Sequence, residues 1–304
     1  MIPAYCKRGD VIFYDKGVGF ATQKGLIASR ARLVGFEHND MDDLERLLQE
    51  QAAMDEKDPK KAKNCRRFMV VEGLYQNYGD IAPLPKLVEL KFKYKVRLFI
   101  EESMSFGVLG ETGRGLTEHY GISVDKIDCI AAAMSNSLAS VGGFAVGRTF
   151  VVDHQVLSGA GYCYSASLPP LLAVAALQAL RCIDTRKDLQ SKLLANAKTF
   201  RAALSAELKK AGCTTITIGG DEISPVVHVR VGGGAERAAA DAVLGAVVDN
   251  TLDQGLALTQ SVYLTAEELH VPDPSLRVSV SAGHTAEELK MAAKTIAAAF
   301  KAAL

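Results

Sequence analysis

The chain has 304 residues, enough to bury one large core and a second, smaller one. Its 35 basic and 35 acidic side chains cancel, so net charge provides no footprint for nucleic acid or an anionic membrane surface, and composition sets both aside as partners. The 6 cysteines (6, 65, 129, 163, 182 and 213) form neither C-x-x-C pairs nor zinc-finger spacing, which excludes a disulfide framework or zinc module and fits free thiols in a reducing compartment.

Strand-like apolar runs fall at Asp10 to Tyr14, Arg32 to Glu37, Arg67 to Glu72, Arg97 to Glu101 and Ile127 to Ala133, separated by helical or loop stretches. That alternation predicts a mostly parallel α/β sheet. Between the second and third runs, Asp40 can cap a helix to Asp55, with Leu44, Leu47 and Leu48 at helical spacing. The acids Asp40, Asp42 and Asp43 suit a helix start better than a metal site. The basic run Lys57 to Arg67 reads as a solvated loop, since acids flank it and aromatic residues are absent.

The fourth and fifth runs end in loops of a kind that gathers ligand-contacting groups in α/β folds. One continues through Phe99-Ile-Glu-Glu-Ser-Met-Ser-Phe-Gly-Val-Leu-Gly-Glu-Thr-Gly-Arg-Gly115 and the other through Ser135-Asn-Ser-Leu-Ala-Ser-Val-Gly-Gly143. Gly107, Gly110, Gly113 and Gly115 lack the spacing of a dinucleotide fingerprint and suit tight turns instead. Leu168 to Leu180 is the most apolar stretch; it contains a proline pair and is shorter than the roughly 18 to 20 residues that span a bilayer. No secretory leader is apparent.

Beyond Pro169-Pro170 the pattern predicts one long helix with Leu189, Leu193, Ala197, Phe200, Leu204 and Leu208 on a face, stopping at Gly212 and linking two lobes. Val227, Val229 and Val231 share a strand face, Val243, Leu244, Val247 and Val248 stripe a helix, and Thr285-x-x-Glu288 is a capping box for a final helix. Arg277 lies on the polar face of the strand Leu276 to Ser281. A smaller α+β lobe follows from that order, with the division expected at 1–183 and 184–304.

The two loop motifs resemble those of the α-oxoamine synthases, pyridoxal-phosphate enzymes that join an amino acid to an acyl-CoA. In catalytic members the first motif reads V-D-E-A-H-S-x-G-V-L-G-x-x-G-R-G, and a Schiff-base lysine stands six residues before the Gly-Gly pair. Here Glu101 occupies the position of the Asp that pairs with the pyridinium nitrogen, Met104 that of the His, and Asn136 that of the lysine. Upstream, Asp15 to Ala21 matches D-x-x-N-H-A-S, with Gly19 and Ala21 where His and Ser usually sit. His38-Asn-Asp-Met-Asp-Asp-Leu-Glu45, Val70-Val-Glu-Gly-Leu-Tyr75 and Gly161-Tyr-Cys-Tyr-Ser-Ala-Ser-Leu-Pro-Pro170 narrow the resemblance to one branch, the lysine-lacking subunits of eukaryotic serine palmitoyltransferase.

The resemblance implies fold type I of the PLP-dependent transferases, with pyridoxal 5'-phosphate bound mainly by a homologous lysine-bearing catalytic subunit. It also implies that the complex takes L-serine and palmitoyl-CoA at the cytosolic face of the endoplasmic reticulum membrane, reached by association with that partner. By spacing alone Ser165 and Ser167 read better as ordinary helix caps, but the resemblance places them in the family turn that reaches across the interface to the partner's cofactor phosphate. Arg277 matches an arginine associated with the amino-acid carboxylate, against the alternative of a surface arginine. His38 and His284 recur in family motifs and are assigned no catalytic role. The resembling subunits carry an N-terminal membrane helix ahead of the region that Met1 matches, so a truncated form lacking a strand of the large sheet is expected. Two other functions stay open: an autonomous PLP-dependent acyltransferase or aminotransferase using another amine, for which Lys126 is nearest, and a scaffold without a role in the chemistry.

Overall fold

The computed structural model describes residues 1–304, which form two compact units. The first comprises Met1–Tyr75 and Ala82–Lys187, the second Gln76–Ile81 and Asp188–Leu304.

The first unit is built on six strands: β1 (Val11–Asp15), β2 (Arg32–Phe36), β3 (Arg67–Glu72), β4 (Arg97–Glu101), β5 (Cys129–Ala133) and β6 (Gly143–Gly147). They hydrogen-bond in the order β2-β1-β3-β4-β5-β6. Neighbours from β2 through β5 run parallel, and β6 is antiparallel to β5. This is the mostly parallel sheet that the five apolar runs predict. Ile12 and Phe13 are adjacent and both fully buried, as are Phe68 and Met69, because a central parallel strand is covered on both faces and so reads as an unbroken apolar run. The sixth strand has no such signature in Gly143-Phe-Ala-Val-Gly147. Its ladder with β5 makes it a strand, and a Cβ on Gly143 would lie only 2.8 Å from the Ala132 carbonyl oxygen, so a side chain there would spoil the pairing.

Two amphipathic helices, Met41–Lys57 and Leu84–Tyr94, bury Leu44 and Leu48, and Leu84, Leu87 and Leu90. Asp40 caps the first, accepting from the amides of Asp42 and Asp43 at 3.0 and 2.9 Å. The basic run expected as a loop is partly a helix, Pro59–Asn64: Asp58 accepts from the Lys61 amide at 3.1 Å and Pro59 supplies a first-turn residue that needs no amide partner. The long helix expected after the proline pair is two helices, Pro170–Thr185 and Asp188–Ala211. Arg186, at φ −95° and ψ 84°, leaves helical geometry where the units divide.

The second unit carries β7 (Ile216–Gly219), β8 (Val226–Val231), β9 (Thr259–Gln260) and β10 (Leu276–Ser279), an antiparallel sheet in the order β7-β8-β10-β9. Helices Asp188–Ala211, Arg237–Asp253 and Ala286–Ala303 contribute Phe200, Leu204, Leu244, Ile296 and Phe300 to its core. The last helix starts with the reciprocal Thr285 and Glu288 capping box. The excursion Gln76–Ile81 is absent from a division at 1–183 and 184–304, because polar bonds rather than an apolar pattern hold it. Asp221 accepts from the Ile81 amide at 2.5 Å, Arg230 donates to the Asn77 carbonyl at 2.8 Å, and His228 Nε2 lies 2.9 Å from the Gln76 carbonyl.

His228 is wholly buried, with Nδ1 2.9 Å from Ser275 Oγ. A carbonyl only accepts, so Nε2 bears the hydrogen and Nδ1 accepts from Ser275. Burial, reinforced by the charges of Arg230 and Arg277, pushes its pKa from 6.5 down to about 4. The unfolded chain therefore takes up a proton that the folded unit refuses, and stability is lost as pH falls through that window, by roughly 3 kcal/mol in full. Urea unfolding near neutral pH and near pH 4 is expected to show this loss in the native chain and a flatter dependence in His228→Gln.

Candidate functional site

Glu101 ends β4, and its Oε1 accepts from the Ser103 amide at 3.0 Å and from the Ser103 hydroxyl. The same hydroxyl oxygen accepts from the Ala133 amide at the end of β5, at 2.6 Å. The Ser103 carbonyl accepts from Asn136 Nδ2 at 2.8 Å, and that nitrogen also lies 3.1 Å from Met104 Sδ. Glu101, Met104 and Asn136, separated by as many as 35 positions in the chain, thus form one cluster with Ser103 as its hub. Burial pushes the Glu101 pKa up, the two bonds from Ser103 oppose it, and the neighbouring Glu102 charge adds to the rise. Sequence reading missed Ser103, since a serine between an acid and a methionine carries no periodic or motif signal of its own.

Glu102, also missed, holds the glycine loop. It is 2% exposed, and its Oε2 accepts from Ser105 Oγ at 2.7 Å and from the Leu116 amide at 3.0 Å. Gly115, at φ 88°, passes so close to this carboxylate that any Cβ would collide with it. Further round the loop Glu118 accepts from the Thr112 hydroxyl at 2.7 Å and the Arg114 amide at 2.9 Å. The glycines therefore serve tight turns, as their spacing indicates. The available signal for Glu102 was the Glu-Glu pair itself, but both faces of a central parallel strand are covered, so alternation does not single out the second acid.

The upstream segment is structural in the same sense. Asp15, fully buried at the end of β1, accepts from the Gly17 amide at 2.6 Å, the Asn39 amide at 2.8 Å and His38 Nδ1 at 2.8 Å. Gly19 caps the helix Phe20–Ser29 and donates its amide to Glu72 Oε1 at 2.6 Å, while Ala21 is exposed on the first turn. His284 Nδ1 accepts from the Ser281 amide at 3.2 Å, a turn contact. Lys126 precedes β5 and Asn136 follows it, so the strand separates that amine from the cluster by about 16 Å.

Ser165 and Ser167 lie exposed between the helices Ala160–Cys163 and Pro170–Thr185, outside the cluster around Ser103. Neither caps the following helix, whose cap is Pro169 without a side-chain bond. In the second unit Arg277 is half-buried in β10, paired in register with His228, and its side chain takes part in no hydrogen bond or ion pair. It lines a recess of about 420 Å³ with Phe200, Leu256, Leu289 and Ile296.

A model of the family described as aminotransferase class I and II matches residues 2–296. The chain belongs to that family. Among curated relatives, serine palmitoyltransferase 1 of Dictyostelium discoideum is 40% identical over 299 residues, covering 97% of this chain and 61% of that protein. Long chain base biosynthesis protein 1c of Oryza sativa subsp. japonica is 42% identical over 294 residues, 95% of this chain and 58% of the other. The chain thus spans about three fifths of the length of these relatives. Of solved structures, serine palmitoyltransferase from S. paucimobilis with bound PLP-myriocin is similar at a TM-score of 0.83 and 26% identity, over 99% of this chain and 69% of that one. Family membership accounts for the α/β architecture with a mostly parallel large sheet and a small antiparallel one.

The cluster can hold a carboxyl group and an amide in fixed geometry, but its polar groups are already spent on one another. Burial raises the pKa of Glu102 above its ordinary 4.5. The folded state then keeps a proton that the unfolded chain gives up, so this contribution to stability is complete below that value and is lost as pH rises through the folded pKa. Glu102→Gln retains an oxygen for Ser105 and Leu116 and has nothing to titrate. Its urea midpoint is expected to gain on that of the native chain as pH rises from about 4.5 towards neutrality.

Proposed function

We propose that this chain is the non-catalytic subunit of a serine palmitoyltransferase. A homologous lysine-bearing subunit would be its partner, and the complex would condense L-serine with palmitoyl-CoA, release carbon dioxide and CoA, and yield 3-ketodihydrosphingosine. The observation that carries this reading is Asn136, placed in the loop after β5 with its amide nitrogen donating to the Ser103 carbonyl. Pyridoxal phosphate, when bound, supplies an electron sink and is held by a lysine amine. An amide nitrogen has its lone pair delocalised into the carbonyl, and Met104 beside it cannot titrate. The residues present do not fit a covalently held cofactor, and no step of the chemistry is assigned to this chain's own pocket. Lys126, before β5, stands at the wrong end of the strand for an autonomous enzyme.

Two features support a role in trans. The segment from Gly142 to Val174 buries little of its apolar content: Phe150, Leu157, Tyr164 and Leu171 are 64%, 79%, 89% and 78% exposed, as a chain that pairs with another subunit requires. Within that segment neither Ser165 nor Ser167 caps the following helix, and the one bond of the two hydroxyls is a long one of 3.3 Å from Ser165 to the adjacent Ala166 carbonyl, which supports assigning both to the phosphate of the partner's cofactor. Arg277, without an ionic partner of its own, is the group we assign to an amino-acid carboxylate. The place of action is the cytosolic face of the endoplasmic reticulum membrane, reached through the partner; no helix here is long and apolar enough to cross a membrane.

Four outcomes are expected. Co-purification with a lysine-bearing homologue should succeed, and borohydride reduction with pyridoxal phosphate should leave no lysine adduct in the pocket of the isolated chain; a mapped adduct there would refute the reading. Asn136→Lys alone should not confer serine-dependent condensation, because Glu101 and Met104 stay as they are. The double change Ser165→Ala and Ser167→Ala should weaken cofactor retention by the complex, each lost bond to a charged group being worth about 1.5 to 3 kcal/mol, with pairing intact by size-exclusion chromatography. Unchanged affinity in a paired double mutant would leave that turn as packing alone.

A further inference from the structure

The balanced net charge conceals a segregation that strand direction imposes on the first unit. Because β1 to β5 are parallel and β6 is antiparallel, the starts of the first five and the end of the sixth share one edge of the sheet. An exposed cation stands at every one of these positions: Arg8 before β1, Arg30 before β2, Arg66 before β3, Arg97 opening β4, Lys126 before β5 and Arg148 after β6. None of the six is in an ion pair. Lys60, Lys61 and Lys63 extend the row from the short exposed helix ahead of β3, and Lys95 extends it ahead of β4.

The acids on this edge do little to offset the row. Asp10 is buried and accepts from the amides of Lys7 and Arg66, both at 3.0 Å; Asp58 caps the helix that carries the lysines. Asp55 is paired with Arg67 and Asp128 with Lys91, each at 2.6 Å, leaving Glu56, Asp125 and, in the helix after Arg148, Asp153 as the exposed, unpaired acids. Asp15, Glu72, Glu101 and Glu102 lie at the opposite edge.

We propose that this cationic edge docks on an anionic phospholipid surface. Six strands at about 4.8 Å spacing spread the row over roughly 24 Å, a broad front suited to a sheet of headgroups. Exposed apolar side chains share the edge: Met54, Phe92 and Val124 are 50%, 59% and 51% exposed, with Phe92 and Val124 close in the chain to Lys95 and Lys126 and Met54 lining one recess with Lys61. Cations for the headgroups with apolar side chains for the acyl boundary is the pattern of an interfacial membrane contact. Val124 and Met54 cannot stack on bases, so the same mixture is a poorer match to a nucleic-acid strand. The inference does not depend on the role of Asn136 or on a partner subunit.

The test is co-sedimentation of the full chain with phosphatidylcholine vesicles and with vesicles that also contain phosphatidylserine, at low and high salt. Binding is expected with the anionic vesicles alone and is expected to weaken as salt screens it. Arg8→Glu, Lys61→Glu and Lys95→Glu together should lower the partition coefficient about tenfold or more, because each removes a cation close to the surface and adds an anion. Lys290→Glu with Lys294→Glu, on the last helix of the second unit, should leave binding unchanged. Circular dichroism checks that the triple variant is folded, and the salt and lipid dependence of the native chain decides the matter if it is not. Equal binding to neutral vesicles, salt-independent binding, or a folded triple variant that binds as the native chain does would each overturn the proposal. So would no binding to either vesicle, including the case in which the chain instead retains an oligonucleotide.

Discussion

Parallel pairing of β1 to β5 is the constraint on which the rest of the first unit depends. A parallel ladder forces every strand to begin at one edge and end at the other, and the connections between them must cross back over the faces. The loops after β1, β3, β4 and β5 are thereby collected at one edge, where Asp15, Glu72, Glu101 and Ala133 close their strands. The segments that lead into the strands are collected at the other edge by the same rule. A cluster of carboxylates and a row of exposed cations are thus two consequences of one hydrogen-bonding pattern.

The carboxylate edge is expensive to build, and its construction shows how the cost is met. Each buried acid is given backbone amides or hydroxyls: Asp15 accepts from two amides and a histidine ring, Glu72 from the Gly19 amide, and Glu102 from Ser105 and the Leu116 amide. Such bonds recover much of the desolvation penalty only when donors are held in place, and the glycines allow the backbone to come close enough. At the same edge lie Met104 and Asn136, which do not titrate, with the Asn136 amide nitrogen bonded to the Ser103 carbonyl.

The second unit is organised differently, by an apolar core around Phe200, Val227, Val229 and Phe300 and by polar bonds that take in a six-residue excursion from the middle of the first. Asp221, His228 and Arg230 each hold backbone of Gln76 to Ile81. His228 links that excursion to Ser275 and thus to the strand bearing Arg277, at the cost of a buried ring that must remain neutral.

Local chemistry is why so much was legible before the fold. Central parallel strands are apolar on both faces, so β1, β3, β4 and β5 stand out as runs; Asp40 and the Thr285 and Glu288 pair cap helices through bonds made within three residues. The motif residues Glu101, Met104 and Asn136 were also visible, since identity at a spaced position needs no coordinates. Other features depend on partners remote in the chain. β6 is a strand because β5 lies beside it, Gln76–Ile81 joins the second unit because Asp221 and Arg230 reach it, and Ser103 and Glu102 acquire roles only when the glycine loop and the end of β5 close around them. Composition sums charges without regard to position, so a net charge of zero could not reveal that an exposed cation stands at each strand position along one edge while Asp15, Glu72, Glu101 and Glu102 gather at the other.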